Sequence, residues 1–148
     1  MRISSRGEYA IRAMVDLALH HNKGLVPIQE IAERQRIPQR YLEQVLLLLK
    51  RAGFLTSKRG SAGGYHLLQS PSEITVGAVL HAIEGSLERP AGDKRGHPRS
   101  TGDHSGELAE LWAQVSAAVS GVVDRITLAD LREQVEARRS SARPMYHI

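Results

Sequence analysis

Apolar residues recur at helical spacing in six stretches of the chain and at strand-like density in two short runs between them. Ser5 and Glu8 form a capping-box pair that starts a first helix, and Ala10, Ala13, Met14 and Leu17 continue it on one face to about His20. Ile28, Ile31 and Ala32 share one face of a short second helix. Gln35-Arg36-Ile37 leaves room only for a tight turn. Pro38 suits the first position of a third helix, where its missing N–H costs nothing. Gly53 suits the end of that helix because it tolerates positive φ.

At 100° per residue the third helix buries Leu42, Val45, Leu46 and Leu49. It turns Arg40, Gln44 and Arg51 outward, with Tyr41 and Glu43 flanking and Leu47 also on the polar side. A short helix, a tight turn and a helix with a polar outer face are what major-groove reading needs. An ordinary helical hairpin with a solvated face has the same pattern. Phe54–Ser57 and Gly64–Leu68 read as two strands joined by Lys58-Arg59-Gly60-Ser61-Ala62-Gly63. Such a loop, directly after a recognition-type helix, resembles the wing of a winged helix-turn-helix. Arginine there can enter a narrow minor groove, and glycine lets backbone approach phosphates. The plainer reading is that the glycines close a hairpin. The Gly-Lys-Ser/Thr ending of a nucleotide-binding P-loop is absent.

Thr75 caps a fourth helix with Val76, Val79, Leu80 and Ile83 inward and Gly85 as terminator. Periodicity then lapses over 86–105, a Gly/Pro/Ser-rich stretch that reads as a long, effector-type loop. From Gly106 a long helix resumes, with Leu108, Leu111, Val115, Ala118 and Val122 at alternating spacings and a second seam of Trp112, Val119 and Ile126. That face is wide enough to pack against another chain as well as its own domain. Thr127 and Asp130 start a last helix through Leu128, Leu131 and Val135. The expected architecture is mainly α with one small β-hairpin. A winged helix-turn-helix DNA-binding domain spans 1–85, dimerisation helices span 106–137, and 138–148 is a loose tail.

Charge sharpens this division. Residues 1–68 hold eleven Lys/Arg against five acids, a balance of +6, while the other 80 residues come to −2. A basic first half points to a polyanion partner for that half only. The 148 residues contain no apolar run near the roughly 18 needed to span a bilayer. The N-terminus lacks a signal-peptide core, so a cytoplasmic protein without membrane partners is expected. The absence of cysteine excludes disulfides, thiol nucleophiles and thiolate metal ligands. No nucleophile–base pair sits in an ordered motif, and His66 and His81 are isolated, so no enzyme is expected.

The opening Met1-Arg2-Ile3-Ser4-Ser5-Arg6-Gly7-Glu8-Tyr9-Ala10 resembles that of the bacterial Rrf2 family of winged-helix regulators. That family includes the iron–sulfur cluster regulator, the nitric-oxide-sensing repressor and the cysteine-metabolism repressor. Ile37-Pro38 with Tyr41-Leu42-Glu43-Gln44, Ala52-Gly53-Phe54-Leu55, Arg59-Gly60 with Gly63-Gly64-Tyr65, and Ile126-Thr127-Leu128-Ala129-Asp130-Leu131 resemble further family motifs. The similarity covers residues 1 to about 135. It implies a dimeric transcription regulator whose helix from Pro38 enters the major groove and whose wing enters the minor groove. It also implies that the helix from Glu107 packs across a two-fold axis. Cluster-binding members carry three cysteines in the loop that here runs from Glu88 to Ser105 without a thiolate.

The leading expectation is a repressor that binds double-stranded DNA as a homodimer, without cofactor or resident metal, answering to an unknown small-molecule or protein effector if to any. Its DNA contacts are expected from Arg40, Tyr41, Glu43, Gln44, Leu47, Arg51, Ser57, Lys58, Arg59, Gly60 and Ser61. Arg40 and Gln44 read bases, Arg59 enters the minor groove, and Lys58 and Ser57 meet phosphates. Leu47 either meets a thymine methyl or packs on the wing. The dimer interface is expected from Leu108, Leu111, Trp112, Val115, Val119 and Val122. Two alternatives are a metal-responsive regulator using His97, Asp103, His104 or Glu107, and a protein-binding adaptor working through the long helix.

Overall fold

The computed structural model describes residues 4–85 and 105–142. Helix α1 (Ser5–Leu19) is followed by α2 (Ile28–Gln35) and α3 (Gln39–Arg51). Strands β1 (Leu55–Lys58) and β2 (Gly64–Leu67) form the wing hairpin; α4 (Val76–Glu84), α5 (Ser105–Val123) and α6 (Leu128–Ala142) complete the chain. The mainly helical fold with one small hairpin is therefore as the hydrophobic pattern anticipates.

The core lies where α1, α2, α3, the wing and α4 meet. Met14, Leu17, Ile31, Leu42, Leu46, Leu49, Leu55 and Val79 are all at most 1% exposed, and Leu128 at the start of α6 joins them. Each such side chain contributes about 1.5–3 kcal/mol of transfer free energy. The four α3 positions read as core from the 3.6-residue period are each 0% exposed. That burial fixes the rotation of α3 about its axis and so decides which side chains face outward.

Local signals differ in detail from the sequence reading. Ser4, not Ser5, caps α1: its side chain accepts from the Gly7 N–H at 3.1 Å, and its N–H and hydroxyl both reach Glu84 of α4. The Gly7 amide is thereby occupied. Pro38 is the N-cap of α3 instead of its first residue. The turn before it needs Arg36 in the left-handed region at φ 55°, while Gly53 after α3 has φ 90°. Thr75 caps α4, and Thr127 and Asp130 form a reciprocal capping pair of 2.9 and 3.1 Å at α6. The starts of α4 and α6 are strapped together by Val76 N–H to Ile126 and Leu128 N–H to Ile74.

The tail expected to be loose from Arg138 is helical as far as Ala142. Sequence Val135-Glu136-Ala137-Arg138-Arg139 lacks an apolar stripe but consists mostly of strong helix formers, so propensity carries the helix past its buried face. Residues 86–104, which hold His97, Asp103 and His104, lie outside the described residues, as does the Glu107 side chain. Among the described residues, no helix is long and apolar enough to cross a membrane.

Candidate nucleic-acid interface

Helix α3 presents Arg40, Glu43, Gln44, Leu47 and Arg51 at i, i+3, i+4, i+7 and i+11, one outward stripe opposite its buried leucines. All five are exposed. Leu47 is 45% exposed, so a large part of its side chain is open to solvent on this face. A helix with its side chains is about 10–12 Å across, matching a major groove of about 12 Å. Tyr41 stands at the edge of the stripe, with its ring in an edge-to-face contact with Tyr9 of α1 at 5.2 Å. Arg12 lies over the other partner, 5.5 Å from the Tyr9 centroid. Tyr41 therefore supports the helix as much as it displays a hydroxyl.

The hairpin pairs Leu55 with Leu67, Thr56 with His66, Ser57 with Tyr65 and Lys58 with Gly64. Relative to the expected strands, β1 starts and ends one residue later and β2 ends one residue earlier, which brings Lys58 into β1 and leaves Phe54 and Leu68 flanking, still joined by the Leu68 N–H to Phe54 carbonyl bond. Arg59, Gly60 and Ser61 form the exposed tip, where Gly60 has φ 106°. Two glycines are explained by packing alone. A Cβ on Gly63 would collide with the Lys58 carbonyl oxygen, and one on Gly64 would lie 2.5 Å from the Val26 carbonyl oxygen. Val26 and Tyr65 exchange backbone hydrogen bonds of 2.8 and 2.9 Å, so the wing root is tied to the strand-like residue before α2.

A residue missed in the sequence reading joins the two reading elements. Lys50 Nζ donates to Ser57 Oγ at 2.7 Å, linking the last turn of α3 to β1. Ser57, expected on a phosphate, is half-buried and takes part in this brace. Burial pushes the Tyr65 hydroxyl above the ordinary tyrosine value, and the Glu43 carboxylate of α3 adds to the rise. Only tertiary contact reveals Lys50 as the partner of Ser57 and Tyr65 as the partner of Val26; spacing along the chain carries no signal for either pair.

Not every cation of the basic half is available to a polyanion. Arg34 is paired with Asp16 and Glu30, and its proton affinity is raised chiefly by the Asp16 hydrogen bond. Arg12 approaches Glu8 at 3.7 Å and donates to the Gln35 carbonyl. Arg40, Lys50, Arg51, Lys58 and Arg59 make no salt bridge among the described residues. Arg6, Lys23 and Arg36 are likewise without a salt bridge among the described residues, so five of the eight unpaired cations of the basic half lie on α3 and the wing. In protein–DNA recognition, cations that meet phosphates supply affinity and side chains that reach base edges supply specificity.

On α5 the six expected interface residues fall in two groups. Leu108, Leu111, Trp112 and Val122 are 44–55% exposed, whereas Val115 and Val119 are half-buried. Among the described residues no group of three or more His, Asp or Glu is placed to hold a metal ion.

A family model described as Rrf2, iron-dependent transcriptional regulator, matches residues 3–134. The chain is 42% identical over 131 residues to the HTH-type transcriptional regulator IscR of Serratia proteamaculans, covering 88% of this chain and 79% of that protein. It is 38% identical over 143 residues to IscR of Aliivibrio salmonicida, covering 97% and 84% of the two. Among solved structures, CymR (YrzC), the global cysteine regulator of B. subtilis, superposes with TM-score 0.76 at 32% identity, over 90% of this chain and 98% of that one. T. potens IscR superposes with TM-score 0.73 at 33% identity, over 99% and 95%.

Proposed function

The chain belongs to the Rrf2 family and is a DNA-binding transcription regulator, and within that family we propose a cluster-free repressor that acts as a homodimer on a two-fold-symmetric operator. The observation that carries this reading is the joined pair of reading elements. Arg40, Glu43, Gln44, Leu47 and Arg51 share one exposed stripe, and Lys50 braces it to a wing whose tip is Arg59. In this reading Arg40 and Gln44 meet base edges, Leu47 offers its methyls to thymine, and Arg51 and Lys58 meet phosphates. Arg59 enters the adjacent minor groove, with Gly60 and Ser61 at its side.

Iron–sulfur ligation does not fit this chain. Cluster iron is held mainly by thiolates, and the sequence has no cysteine. The exposed apolar edge of α5 supports the dimer. Leu108, Leu111, Trp112 and Val122 would remain in water in a single chain, and a second α5 packed across a two-fold axis would cover them. Repression then follows from occupancy of the operator.

Sequencing the genomic fragments retained by the purified protein, followed by footprinting, tests the proposal. Two inverted half-sites whose centres lie about 34–36 Å apart, one helical turn, or a multiple of that, are expected. A protected site without internal symmetry rejects the homodimer, and the absence of any retained sequence preference rejects specific reading.

A further inference from the structure

A cleft of about 350 Å³ opens between α1, the end of α2 and α6. Its floor is aliphatic: Ile11, Val15 and Leu19 follow one another at four-residue spacing on α1 and meet Leu131 and Val135 of α6. All five are only half-buried. Its rim is cationic, with Arg12 and Arg34 at the α2 side, Arg138 and Arg139 at the α6 side, and no acidic residue in the lining. The volume falls within the roughly 300–1,000 Å³ of small-molecule pockets, which combine an apolar body with a few placed polar groups.

The four rim arginines are not equivalent. Arg34 is engaged by Asp16 and Glu30, and Arg12 by Glu8 and the Gln35 carbonyl. Arg138 and Arg139 make no salt bridge among the described residues. Planar guanidinium groups suit a carboxylate head, and the trough beside them suits a hydrocarbon chain. We propose that this cleft binds a small aliphatic carboxylate, with its head on Arg138 and Arg139 and its chain along Ile11, Val15, Leu131 and Val135.

A regulatory consequence rests on the DNA-binding reading. Arg12 and Arg34 line the cleft and also hold the last turn of α2, Arg12 through the Gln35 carbonyl and Arg34 through Asp16 of α1. The next residue, Arg36, is the left-handed turn that aims the chain into α3. The hydrocarbon chain along Ile11 and Val15 fills the trough beside Arg12 and Arg34, so occupancy changes the packing of the two side chains that hold the end of α2, and through it the hold on the recognition helix. Such coupling acts in both directions: DNA changes carboxylate affinity by the same factor.

Titration calorimetry of the full chain with octanoate, octan-1-ol and sulfate, without DNA, tests the site itself. Octanoate should saturate one site per chain, with octanol and sulfate much weaker. Arg138→Ala with Arg139→Ala removes two exposed side chains and should weaken octanoate by about tenfold or more, the scale of a charge-assisted hydrogen bond. No saturable octanoate binding overturns the site, including the case in which a second copy of the chain covers it. Equal binding by the double variant, or equal binding of octanol, overturns the assignment of the head group. Saturating octanoate should then shift operator affinity by about fivefold or more. Unchanged operator affinity overturns the coupling, while DNA binding measured without octanoate judges the regulator reading separately.

Discussion

Arg34 donates two hydrogen bonds to Asp16, at 2.9 and 3.0 Å, and Asp16 is only 1% exposed. Gln35 adds a third bond to the same carboxylate at 3.2 Å. This buried acid on α1 therefore gathers the last two residues of α2 and holds the first half of the helix-turn-helix to the core. Truncating Arg34 leaves the carboxylate without its charged partner. Arg34→Met should lower unfolding free energy by about 2 kcal/mol, and Arg34→Lys should recover only part because a single ammonium cannot make the paired contact. Urea unfolding measures this, and an Arg34→Met variant as stable as the parent would show the pair to be energetically neutral.

On the recognition helix, Arg40→Ala and Gln44→Ala should each alter the preferred operator sequence as well as weaken it, by about 1–3 kcal/mol per lost base contact. Selection from a randomised DNA pool reads the preference directly. Retention of one preferred sequence at uniformly lower affinity would make both residues positioning contacts.

For the wing, Arg59→Ala should weaken operator binding by about 1–3 kcal/mol. If Arg59 enters the minor groove, the loss depends on the sequence beneath the wing. If it meets only a phosphate, affinity falls uniformly and the salt slope drops by about one ion. Lys50→Met is expected to act through the wing as well, because it removes the brace to Ser57. Its effect should therefore be less than additive with that of Arg59→Ala in a double-mutant cycle.

The dimer is best probed where the single chain is most exposed. Leu111→Asp alters a side chain that is 45% exposed, so the chain should fold with little change in stability. Placed against a second α5, the same carboxylate is buried without a partner, which is strongly unfavourable. Sedimentation should show monomers and gel retardation should show lost operator binding. An unaltered dimer would move the interface elsewhere.

With no cysteine in the chain, anaerobically purified protein should be colourless, and its operator binding should be indifferent to nitric oxide. Visible absorption and elemental analysis check this. Stoichiometric iron and sulfide would refute it, and stoichiometric zinc would favour a histidine site involving His97 and His104.

The period of apolar residues determined six helices and the rotation of α3, and the polar cap residues Thr75, Thr127 and Asp130 marked the starts of α4 and α6. Each of these depends on neighbours within a turn or two of chain, where spacing alone fixes geometry. The lack of thiolate ligands was equally legible, because ligand chemistry is a matter of residue type. The extent of α6 was not: Arg138 and Arg139 continue the helix without an apolar stripe to announce it. Long-range partners were likewise decided only by tertiary structure. Asp16 and Arg34 are 18 positions apart, and a sequence count treats both as surface charge. Folding brings α2 against α1, removes water from the carboxylate, and turns one cation of the basic half into an internal tie. Lys50 and Ser57 become a brace, and Gly64 becomes obligatory beside Val26, for the same reason. Charge and glycine are local facts, but what they neutralise or approach is set by which elements pack together.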